Sequence, residues 1–304
     1  MEKFIYRHAK ILCVLIAAAA FSGYKDVEPD QYPPLTPFAQ LIHGNLLNEG
    51  SAFLKSPNLD NVFWAVNDSN NSPALMAFDN EGKIITPDIN FPEGGYKGIN
   101  VKGAENHDWE ALAADDKGNI IICDAGNNRN NRKNLAVYIV PEPDPYRDIE
   151  TKEAKKVSFE YPDQSAFPPK KKERNFDSEA CFYSKGRLYL MTKHRGDIKS
   201  KLYVFPSLDS DKKQVLQLLG SAEIGGMATD AAISPDGKKL AVLTYSGAFL
   251  FEKKRWSKNF LSGKKKNIPF SAGQCEGITF DGNDSLIISN EQGNLFRIAV
   301  KDFN

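Results

Sequence analysis

Cys275-Glu-Gly-Ile-Thr-Phe280 begins a pattern of residues that recurs along the whole chain. An acidic and a small residue open a short apolar strand, Asp281-Gly-Asn283 supplies the residue types of a tight turn, and a second apolar strand, Leu286–Ile288, follows. Four more segments repeat this order: Glu49-Gly-Ser-Ala-Phe53, Glu110-Ala-Leu-Ala-Ala114, Glu179-Ala-Cys-Phe-Tyr183 and Asp230-Ala-Ala-Ile-Ser234.

The spacing of the five acids fits the blades of a propeller. Successive acids are 61, 69, 51 and 46 residues apart, which is about the length of a four-stranded blade with its loops. The fifth copy is short and lacks a fourth strand, and the apolar segment Phe38–Ile42 has no other partner. We therefore predict an all-β, five-bladed β-propeller, closed by an N-terminal strand that pairs with the last blade. Six blades are the alternative, and an open sandwich would leave the repeat unexplained.

The overall composition excludes several classes of protein. The 304 residues include 39 basic and 39 acidic side chains, and 11% are aromatic. A disordered chain would have fewer aromatics and more net charge, and a net charge of zero gives no general attraction to nucleic acid or to anionic membranes. We interpret the four short basic runs as solvated loops: Lys155-Lys156, Lys170–Lys172, Lys253–Arg255 and Lys264–Lys266.

The N-terminus has the features of a secretory signal peptide. Lys3, Arg7 and Lys10 precede the apolar run Ile11–Phe21, and small residues follow as a cleavage site. The run is too short to span a bilayer, which needs about 20 residues, and Cys13 lies inside it, so we do not expect a lipoprotein. We predict a signal peptide at 1–23, a flexible segment at 24–35 and a single propeller domain at 36–304. The protein would then be exported to the periplasm or the exterior.

Three cysteines remain after cleavage: Cys123, Cys181 and Cys275. Each lies in an apolar strand-like run, and an odd number cannot pair completely. Buried free thiols are the favoured interpretation, with one disulfide as the alternative in an oxidising compartment.

Topology predicts where the polar residues gather. In an antiparallel blade, the start of the innermost strand and the loop between the second and third strands lie on the same face. The opening carboxylates would therefore ring one mouth of the central channel, where they would repel one another unless a cation neutralised them. Several carboxylate oxygens suit Ca²⁺ better than Zn²⁺. The five predicted ligands are Glu49, Glu110, Glu179, Asp230 and Glu276. The alternative is that these acids have a purely structural role in the blades.

The loops at this mouth supply further candidates. Asp124–Arg132 is rich in Asn and Arg, and its Arg129 and Arg132 could hold an anion together with Lys193 and Arg195. His107, His194 and Arg195 are the candidate acid–base or catalytic groups. No GxSxG, HExxH or phosphate-loop motif is present. The predicted ligand-binding set is Asp68, Asp124, Asn127, Arg129, Lys193 and Arg195.

The order of these motifs resembles the SdiA-regulated family of bacterial propellers, over about residues 36–300. NHL-repeat and esterase-like phytase propellers are more distant kin. The resemblance implies a five-bladed propeller with bound Ca²⁺, for which Glu110, Glu179 and Glu276 would be ligands, and no established reaction. It depends on five short motifs: Glu49-Gly-Ser, Trp109-Glu110-Ala, Ser178-Glu179-Ala, Thr229-Asp230-Ala and Cys275-Glu276-Gly.

Two functions follow from these observations. The first is a binding or scaffolding propeller for a small-molecule or anionic ligand, with Ca²⁺ at the channel mouth. The second is a Ca²⁺-dependent hydrolase of a lactone or a phosphate ester, in which a metal-activated water would replace the missing nucleophile. A module for protein interaction at the cell envelope is a third, weaker hypothesis. We expect no nucleic-acid partner.

Overall fold

The computed structural model describes residues 32–41, 46–47, 49–69, 71–91, 95–209 and 212–304. The predicted signal peptide lies outside the described residues. No helix in the described ranges is long and apolar enough to cross a membrane. The secondary structure consists of strands and of short 3-10 turns at Lys171–Glu173, Phe260–Ser262 and Val300–Asp302.

The strands form five separate sheets, which are the blades of a five-bladed β-propeller, as predicted. A short N-terminal strand, β1 (Ala39–Gln40), precedes them. Blade 1 contains β2 (Gly50–Lys55), β3 (Val62–Asn67), β4 (Ala74–Asp79), β5 (Ile84–Ile85) and β6 (Ile99–Asn100). Blade 2 contains β7 (Trp109–Ala114), β8 (Asn119–Asp124), β9 (Ala136–Pro141) and β10 (Lys155–Glu160). Blade 3 contains β11 (Asp177–Ser184), β12 (Arg187–Lys193), β13 (Lys199–Val204) and β15 (Gln217–Glu223). The short β14 (Gln214–Val215) precedes β15 in the chain but pairs parallel with β10 of blade 2. Blade 4 contains β16 (Ala228–Ile233), β17 (Lys239–Thr244), β18 (Gly247–Glu252) and β19 (Lys264–Pro269). Blade 5 contains β20 (Cys275–Phe280), β21 (Ser285–Asn290) and β22 (Asn294–Ala299).

The N-terminal strand closes the ring. β1 pairs antiparallel with β22, so that Ala39 lies opposite Leu295 and Gln40 opposite Asn294. The backbone N–H of Phe38 donates to the carbonyl of Leu295 at 2.9 Å. This confirms the predicted pairing, although Ile42 of the predicted strand lies outside the described residues. The pairing gives blade 5 its fourth strand and covers a sheet edge that would otherwise be open.

Apolar packing holds the blades together at their junctions. Each of the five hydrophobic clusters draws its side chains from two neighbouring blades, including the junction of blade 5 with blade 1. Trp64 and Trp109 are fully buried in the cluster between blades 1 and 2. The inner strands also contact each other in cyclic order, β2, β7, β11, β16 and β20. Side-chain burial between the sheets therefore stabilises the ring, since among the described strands no backbone ladder joins one inner strand to the next.

Every inner strand carries a β-bulge at the same place, where its pairing with the second strand slips by one residue. A bulge breaks the side-chain alternation of a strand and redirects the extra residue. In blades 2, 3 and 5 the extra residue is Glu110, Glu179 or Glu276, whereas in blades 1 and 4 it is Ala52 or Thr229. The repeated carboxylate is thus equivalent in three blades.

The other two predicted carboxylates stand out of register with these three. Glu49 comes before the start of β2, ahead of the bulge at Ala52, and Asp230 directly follows the bulge at Thr229. An alignment that matches acidic letters cannot detect this offset, because the bulge is defined by pairing with the second strand. Glu49 and Asp230 therefore occupy different environments from Glu110, Glu179 and Glu276.

The three cysteines of the propeller are buried free thiols in the structure. Cys123 and Cys181 lie in the cluster between blades 2 and 3, and Cys275 lies in the cluster between blades 4 and 5. Burial raises the pKa of Cys275 to about 12, so this thiol is protonated at neutral pH.

Candidate functional site

A cavity of about 690 Å³ opens at one mouth of the channel. It is lined by bulge residues of the inner strands and by the loops that follow the second strands, as the antiparallel topology predicts. Charged side chains dominate the wall. The acids are Glu49, Asp68, Glu110, Glu179, Glu276 and Glu291, and the cations are Arg129, Lys171, Arg174, Lys193 and Arg195.

One side of the cavity is organised around the ammonium group of Lys193. Its Nζ lies 2.7 Å from Oε2 of Glu179 and donates to the hydroxyl of Tyr245 at 3.0 Å. The hydroxyl of Tyr245 in turn donates to Oε1 of Glu276 at 3.1 Å. We call Glu179, Lys193, Tyr245 and Glu276 the lysine-centred network; it links blades 3, 4 and 5.

The network is buried, which sets its protonation. Burial works against the charged form of Lys193, but Glu179, Tyr245 and Glu276 outweigh it and raise the pKa of Lys193 well above its usual value. Burial also raises the pKa of Glu179 to about 7 and that of Glu276 to about 8, with Lys193 opposing the rise in both. The network therefore contains one permanent cation and two carboxyl groups that can take up protons near neutral pH.

Arg195 extends this side of the cavity towards blade 2. Its guanidinium pairs with Asp177, lies 3.4 Å from Oε1 of Glu179 and donates to the side-chain carbonyl of Asn128. The backbone N–H of Arg195 donates to Oδ1 of Asn175 at 2.9 Å. Burial raises the pKa of Asp177, but Arg195 and Lys193 reverse this and hold it below its usual value. Arg195 is therefore an anchored cation whose charge is already shared by two carboxylates.

On the opposite side of the cavity, three carboxylates approach one another closely; Asp68 and Glu110 line the cavity wall, and Asp108 adjoins them. One ligand atom from each of Asp68, Asp108 and Glu110 lies within 4.8 Å of the other two. We call these residues the acidic triad. Within the described ranges, no Lys, Arg or His lies within ion-pair distance of any of the three. Among the described residues, the triad is therefore without a directly paired cation, and Arg132 and Lys193 act on it only from a greater distance.

Local backbone contacts bring the acidic triad together. The backbone N–H of Asp108 donates to Oδ1 of Asp124 at 2.9 Å, and that of Gly126 donates to the carbonyl of Asp108 at 3.1 Å. A Cβ at position 126 would lie 2.5 Å from the carboxylate of Asp108 and 2.8 Å from Cγ of Glu110. Glycine at this position therefore permits both acids to approach the backbone of blade 2.

The acidic triad is electrostatically costly. Burial and the nearby Asp68 and Asp177 raise the pKa of Asp108 to about 8. Burial, with Glu179, Asp68 and Asp108, raises the pKa of Glu110 well above its usual value. The hydroxyl of Ser51 donates to Oε2 of Glu110 at 3.1 Å. With a pKa of about 8, Asp108 holds a proton at neutral pH, and a cation could replace that proton.

Two arginines at the cavity carry no carboxylate partner among the described residues. Arg129 is exposed in the loop between β8 and β9, and Arg174 is half-buried before β11. Arg174 donates from Nε to the carbonyl of Pro169 at 3.4 Å. Their guanidinium groups are therefore the cations that remain available to an anion entering the cavity.

Several predicted site residues have architectural contacts instead. Asp124 accepts from Nη2 of Arg132 at 2.9 Å, and Arg132 also donates to the carbonyl of Gly126, so neither faces an incoming ligand. Oδ1 of Asn127 accepts from the backbone N–H of Asn131 and of Arg132, both at 2.9 Å. These contacts shape the Asp124–Arg132 loop.

Asp230 and the histidines also lie apart from the cavity wall. Oδ1 and Oδ2 of Asp230 accept from the backbone N–H groups of Ala231 and Ile278, at 2.7 and 2.8 Å, which ties blade 4 to blade 5. His107 is exposed, with its Nε2 3.3 Å from Oε2 of Glu105, and is not among the lining residues. His194 is buried and does not line the cavity either.

The structure brings together eight of the predicted residues and adds others. Glu49, Asp68, Glu110, Glu179, Glu276, Arg129, Lys193 and Arg195 all line the cavity. The sequence motifs assigned no role to Asp108 and did not identify Tyr245 as the link between Lys193 and Glu276. The feature of the sequence that could have identified Asp108 is its position two residues before a repeated carboxylate.

Comparison of the sequence with protein-family models and with curated proteins gives no match. Among solved structures, the chain is similar to PorZ, a surface component of the type-IX secretion system of Porphyromonas gingivalis, with 13% identity and a TM-score of 0.37. It is similar to the extracellular domain of the hybrid two component system BT4673 from B. thetaiotaomicron, with 9% identity and a TM-score of 0.36. A chain of the Mitotic Checkpoint Complex gives 14% identity and a TM-score of 0.40.

These alignments cover 82% of this chain in each case. The chain spans about a quarter of the length of the first two proteins, at 25% and 27%, and 63% of the third. Such distant similarity does not transfer an activity, a ligand or a partner, since one fold hosts many unrelated functions.

Proposed function

We propose that this protein is an exported propeller of the SdiA-regulated type that binds a small anionic molecule at the channel mouth, with Ca²⁺ held by Asp68, Asp108 and Glu110. The observation that supports it is a group of three carboxylates whose ligand atoms lie within 4.8 Å of one another with no ion-pair partner among the described residues. Arg129 and Arg174, which also have no such partner there, line the cavity together with Asp68 and Glu110. A cation at the triad would remove the repulsion between the acids, and an anionic ligand would contact both that cation and the arginines.

The residues of the triad suit Ca²⁺ chemically. Carboxylates are hard oxygen ligands, and Ca²⁺ takes 6–8 oxygens in flexible geometry, with water completing the set. Gly126 leaves the space in which Asp108 and Glu110 approach one another. Of the five ligands predicted from the sequence, Glu110 alone belongs to this proposed site. Glu179 and Glu276 already share the charge of Lys193, and Asp230 is occupied by backbone N–H groups.

Calorimetric titration with Ca²⁺ tests the metal site. We expect one Ca²⁺ per chain, and we expect Asp108→Asn to lower the affinity at least about tenfold, because one of three charged ligands is lost. Asp60→Asn removes an exposed acid far from the cavity and is the matched control. Absence of heat on titration, together with equal melting temperatures in Ca²⁺ and in chelator, would rule out the metal site.

Anion binding is tested separately, with inorganic phosphate as the probe in the presence of Ca²⁺. The double variant Arg129→Gln/Arg174→Gln should weaken phosphate binding at least about tenfold and leave Ca²⁺ affinity close to that of the wild type. If the double variant binds phosphate as the wild type does, the two arginines are not the anion site. An unchanged metal titration in the same variant shows that its fold is intact.

A Ca²⁺-dependent hydrolase of a lactone or a phosphate ester is the second candidate. The raised pKa of Glu276, about 8, favours it, because this carboxyl can hold a proton at neutral pH beside the cavity. The exposed His107 supplies no such group to the cavity. Turnover of either substrate class that is lost in both Glu276→Gln and Glu110→Gln would favour the hydrolase over the binding protein.

A further inference from the structure

The outer edge of blade 4 carries a concentration of positive charge. Two basic runs, which eight residues separate in the sequence, flank the same loop between β18 and β19, where Glu252 lies opposite Lys264. Glu252 is the only acid from residue 252 to residue 269. We call the following residues, together with Trp256, the blade 4 basic surface: Lys253, Lys254, Arg255, Lys258, Lys264, Lys265 and Lys266.

None of these seven cations forms an ion pair with a described carboxylate. Their other contacts are with neutral groups: Lys253 lies over the ring of Phe260 at 4.6 Å, and Lys265 donates to the carbonyl of Glu223 at 3.0 Å. The run at Lys155-Lys156 differs, because both of its lysines are paired with carboxylates. The zero net charge of the chain therefore hides a local positive field.

Trp256 projects from the centre of this charge and is 88% exposed. Its φ is +69°, a conformation that a bulky residue rarely adopts and that costs backbone strain. Arg255 lies over its ring at 5.2 Å. The indole is exposed although hydrogen bonds and a buried side chain anchor the loop that carries it. An ordered loop therefore holds the indole in solvent.

The following residues anchor that loop. Oδ1 of Asn259 accepts from the backbone N–H of Leu261 at 3.0 Å, and its Nδ2 donates to the carbonyl of Leu219 at 3.1 Å. Phe260 is fully buried against Phe182 and Tyr189. The fold thus holds one large aromatic side chain outward among cations, at the cost of strain.

We propose that the blade 4 basic surface docks the protein on an anionic phospholipid surface, with Trp256 inserted at the level of the headgroups. Trp prefers the membrane–water interface, and clustered Lys and Arg are attracted to anionic lipids. Trp256 lines neither of the cavities at the two channel mouths. A protruding tip of this kind fits a flat surface better than a polymer chain, which would need a cleft.

The topology gives this docking an orientation. The β18–β19 loop lies on the face of the first turns of the blades, as the hydrogen bond from the N–H of Lys253 to the carbonyl of Lys238 shows. That face is opposite the mouth that holds the acidic triad, because antiparallel strands alternate their connections. A docked molecule would therefore present its charged cavity away from the lipid.

Vesicle binding with the full-length chain tests the proposal. The other two tryptophans, Trp64 and Trp109, are fully buried, so a blue shift of Trp emission reports Trp256. We expect binding and a blue shift with vesicles of phosphatidylglycerol and phosphatidylcholine, and much weaker binding with phosphatidylcholine alone. All variants keep the same N-terminal segment, so its contribution cancels in the comparison between them.

Two variants separate the contribution of the basic side chains to vesicle binding from that of Trp256. Lys254→Glu/Arg255→Glu should lower the partition coefficient at least about twentyfold, since each basic side chain near an anionic surface contributes about fivefold. Trp256→Gly should abolish the blue shift and weaken binding several-fold; glycine accepts the positive φ, so the loop is not strained by the change. Lys170→Glu/Lys172→Glu makes the same change of charge at another exposed run and should bind within about twofold of the wild type.

Three results would overturn the proposal. The first is equal binding to neutral and anionic vesicles, and the second is an equal loss in the Lys170→Glu/Lys172→Glu control. The third is retention of the protein by heparin, a sulfated glycan, without any binding to anionic vesicles, which would assign the surface to an acidic polymer. Circular dichroism and melting curves of each variant show whether its fold is retained.

Discussion

In the lysine-centred network, both buried carboxyl groups are linked to an ammonium group of the chain, Glu179 directly and Glu276 through the hydroxyl of Tyr245. In the acidic triad, three carboxylates approach one another, two of them in the wall of the same cavity, and the hydroxyl of Ser51 donates to Glu110. Glu110 and Glu179 occupy equivalent bulges in neighbouring blades. The difference teaches that position in the repeat places a carboxylate at the mouth, whereas the neighbouring loops determine whether its charge is balanced.

Removing the internal cation should have the largest effect. Lys193→Met leaves Glu276 buried without its positive partner and Glu179 with only Arg195, at 3.4 Å. Removing one member of a buried ion pair typically costs about 3–5 kcal/mol. We expect a loss of that size in the free energy of unfolding, measured by urea denaturation. Lys97→Met changes an exposed lysine and should stay within about 0.5 kcal/mol of the wild type. Equal losses in the two variants would show that Lys193 does not balance the network.

Asp230 represents a third way to satisfy a buried acid, through backbone N–H groups. Asp230→Ala would leave the N–H groups of Ala231 and Ile278 buried without acceptors, at about 1–2 kcal/mol each. We expect a total loss of about 2–4 kcal/mol that is the same in Ca²⁺ and in chelator. Asp60→Ala, at an exposed position, is the control. A loss that Ca²⁺ reverses would instead place Asp230 in the metal site.

The sequence predicted the fold and the correct mouth of the channel, but only part of the site. The acid-plus-small-residue motif identified Glu110, Glu179 and Glu276, because a bulge at a fixed place in each blade makes them equivalent. Matching letters put Glu49 and Asp230 into the same set, although pairing with the second strand shows Ala52 and Thr229 at those positions.

Tertiary contacts account for what the sequence did not predict. The role of Asp108 depends on its approach to the backbone of Gly126, which a motif of neighbouring letters does not encode. Lys193 was expected to hold an external anion, and in the structure it pairs with Glu179 inside its own blade. Two scattered basic runs become one surface because β18 and β19 are adjacent strands.

The acidic triad should also give Ca²⁺ binding a characteristic pH dependence. The folded pKa of Asp108 is raised, to about 8 from about 4, so the folded state holds more protons than the unfolded state between these values. Without Ca²⁺, the contribution of Asp108 to the free energy of unfolding is therefore most favourable at low pH and is lost as the pH rises towards 8. Ca²⁺ displaces the proton, so its stabilising effect should grow between pH 6 and 8, by at most about 1.4 kcal/mol per pH unit per proton, and level off above pH 8.

The stabilisation by Ca²⁺ is measured by urea denaturation at pH 6, 7, 8 and 9, with saturating Ca²⁺ and with chelator. The difference between the two series is the relevant quantity, because Glu179 and Glu276 also have raised pKa values and contribute equally to both. A difference that is constant across this range would mean that Ca²⁺ does not compete with protons for the triad.

The smallest expected change in stability comes from a pair of matched substitutions, one on each side of the cavity. Glu110→Gln and Glu179→Gln make the same substitution at equivalent bulges. An amide resembles a protonated carboxyl group and can still accept from the hydroxyl of Ser51, so Glu110→Gln should change the stability of the Ca²⁺-free protein by less than about 1 kcal/mol at pH 7. As the pH rises and the wild type must ionise this buried acid, the difference in stability should move in favour of the variant.

Glu179→Gln should have the opposite sign, because it removes the carboxylate that lies 2.7 Å from the ammonium group of Lys193 and 3.4 Å from Arg195. It should destabilise the protein in Ca²⁺ and in chelator alike, and leave Ca²⁺ affinity near that of the wild type. Glu110→Gln, in contrast, should lower that affinity at least about tenfold. If both variants lose stability equally and neither loses Ca²⁺ affinity, the two sides are electrostatically alike, and the bulge carboxylates serve the architecture of the ring alone.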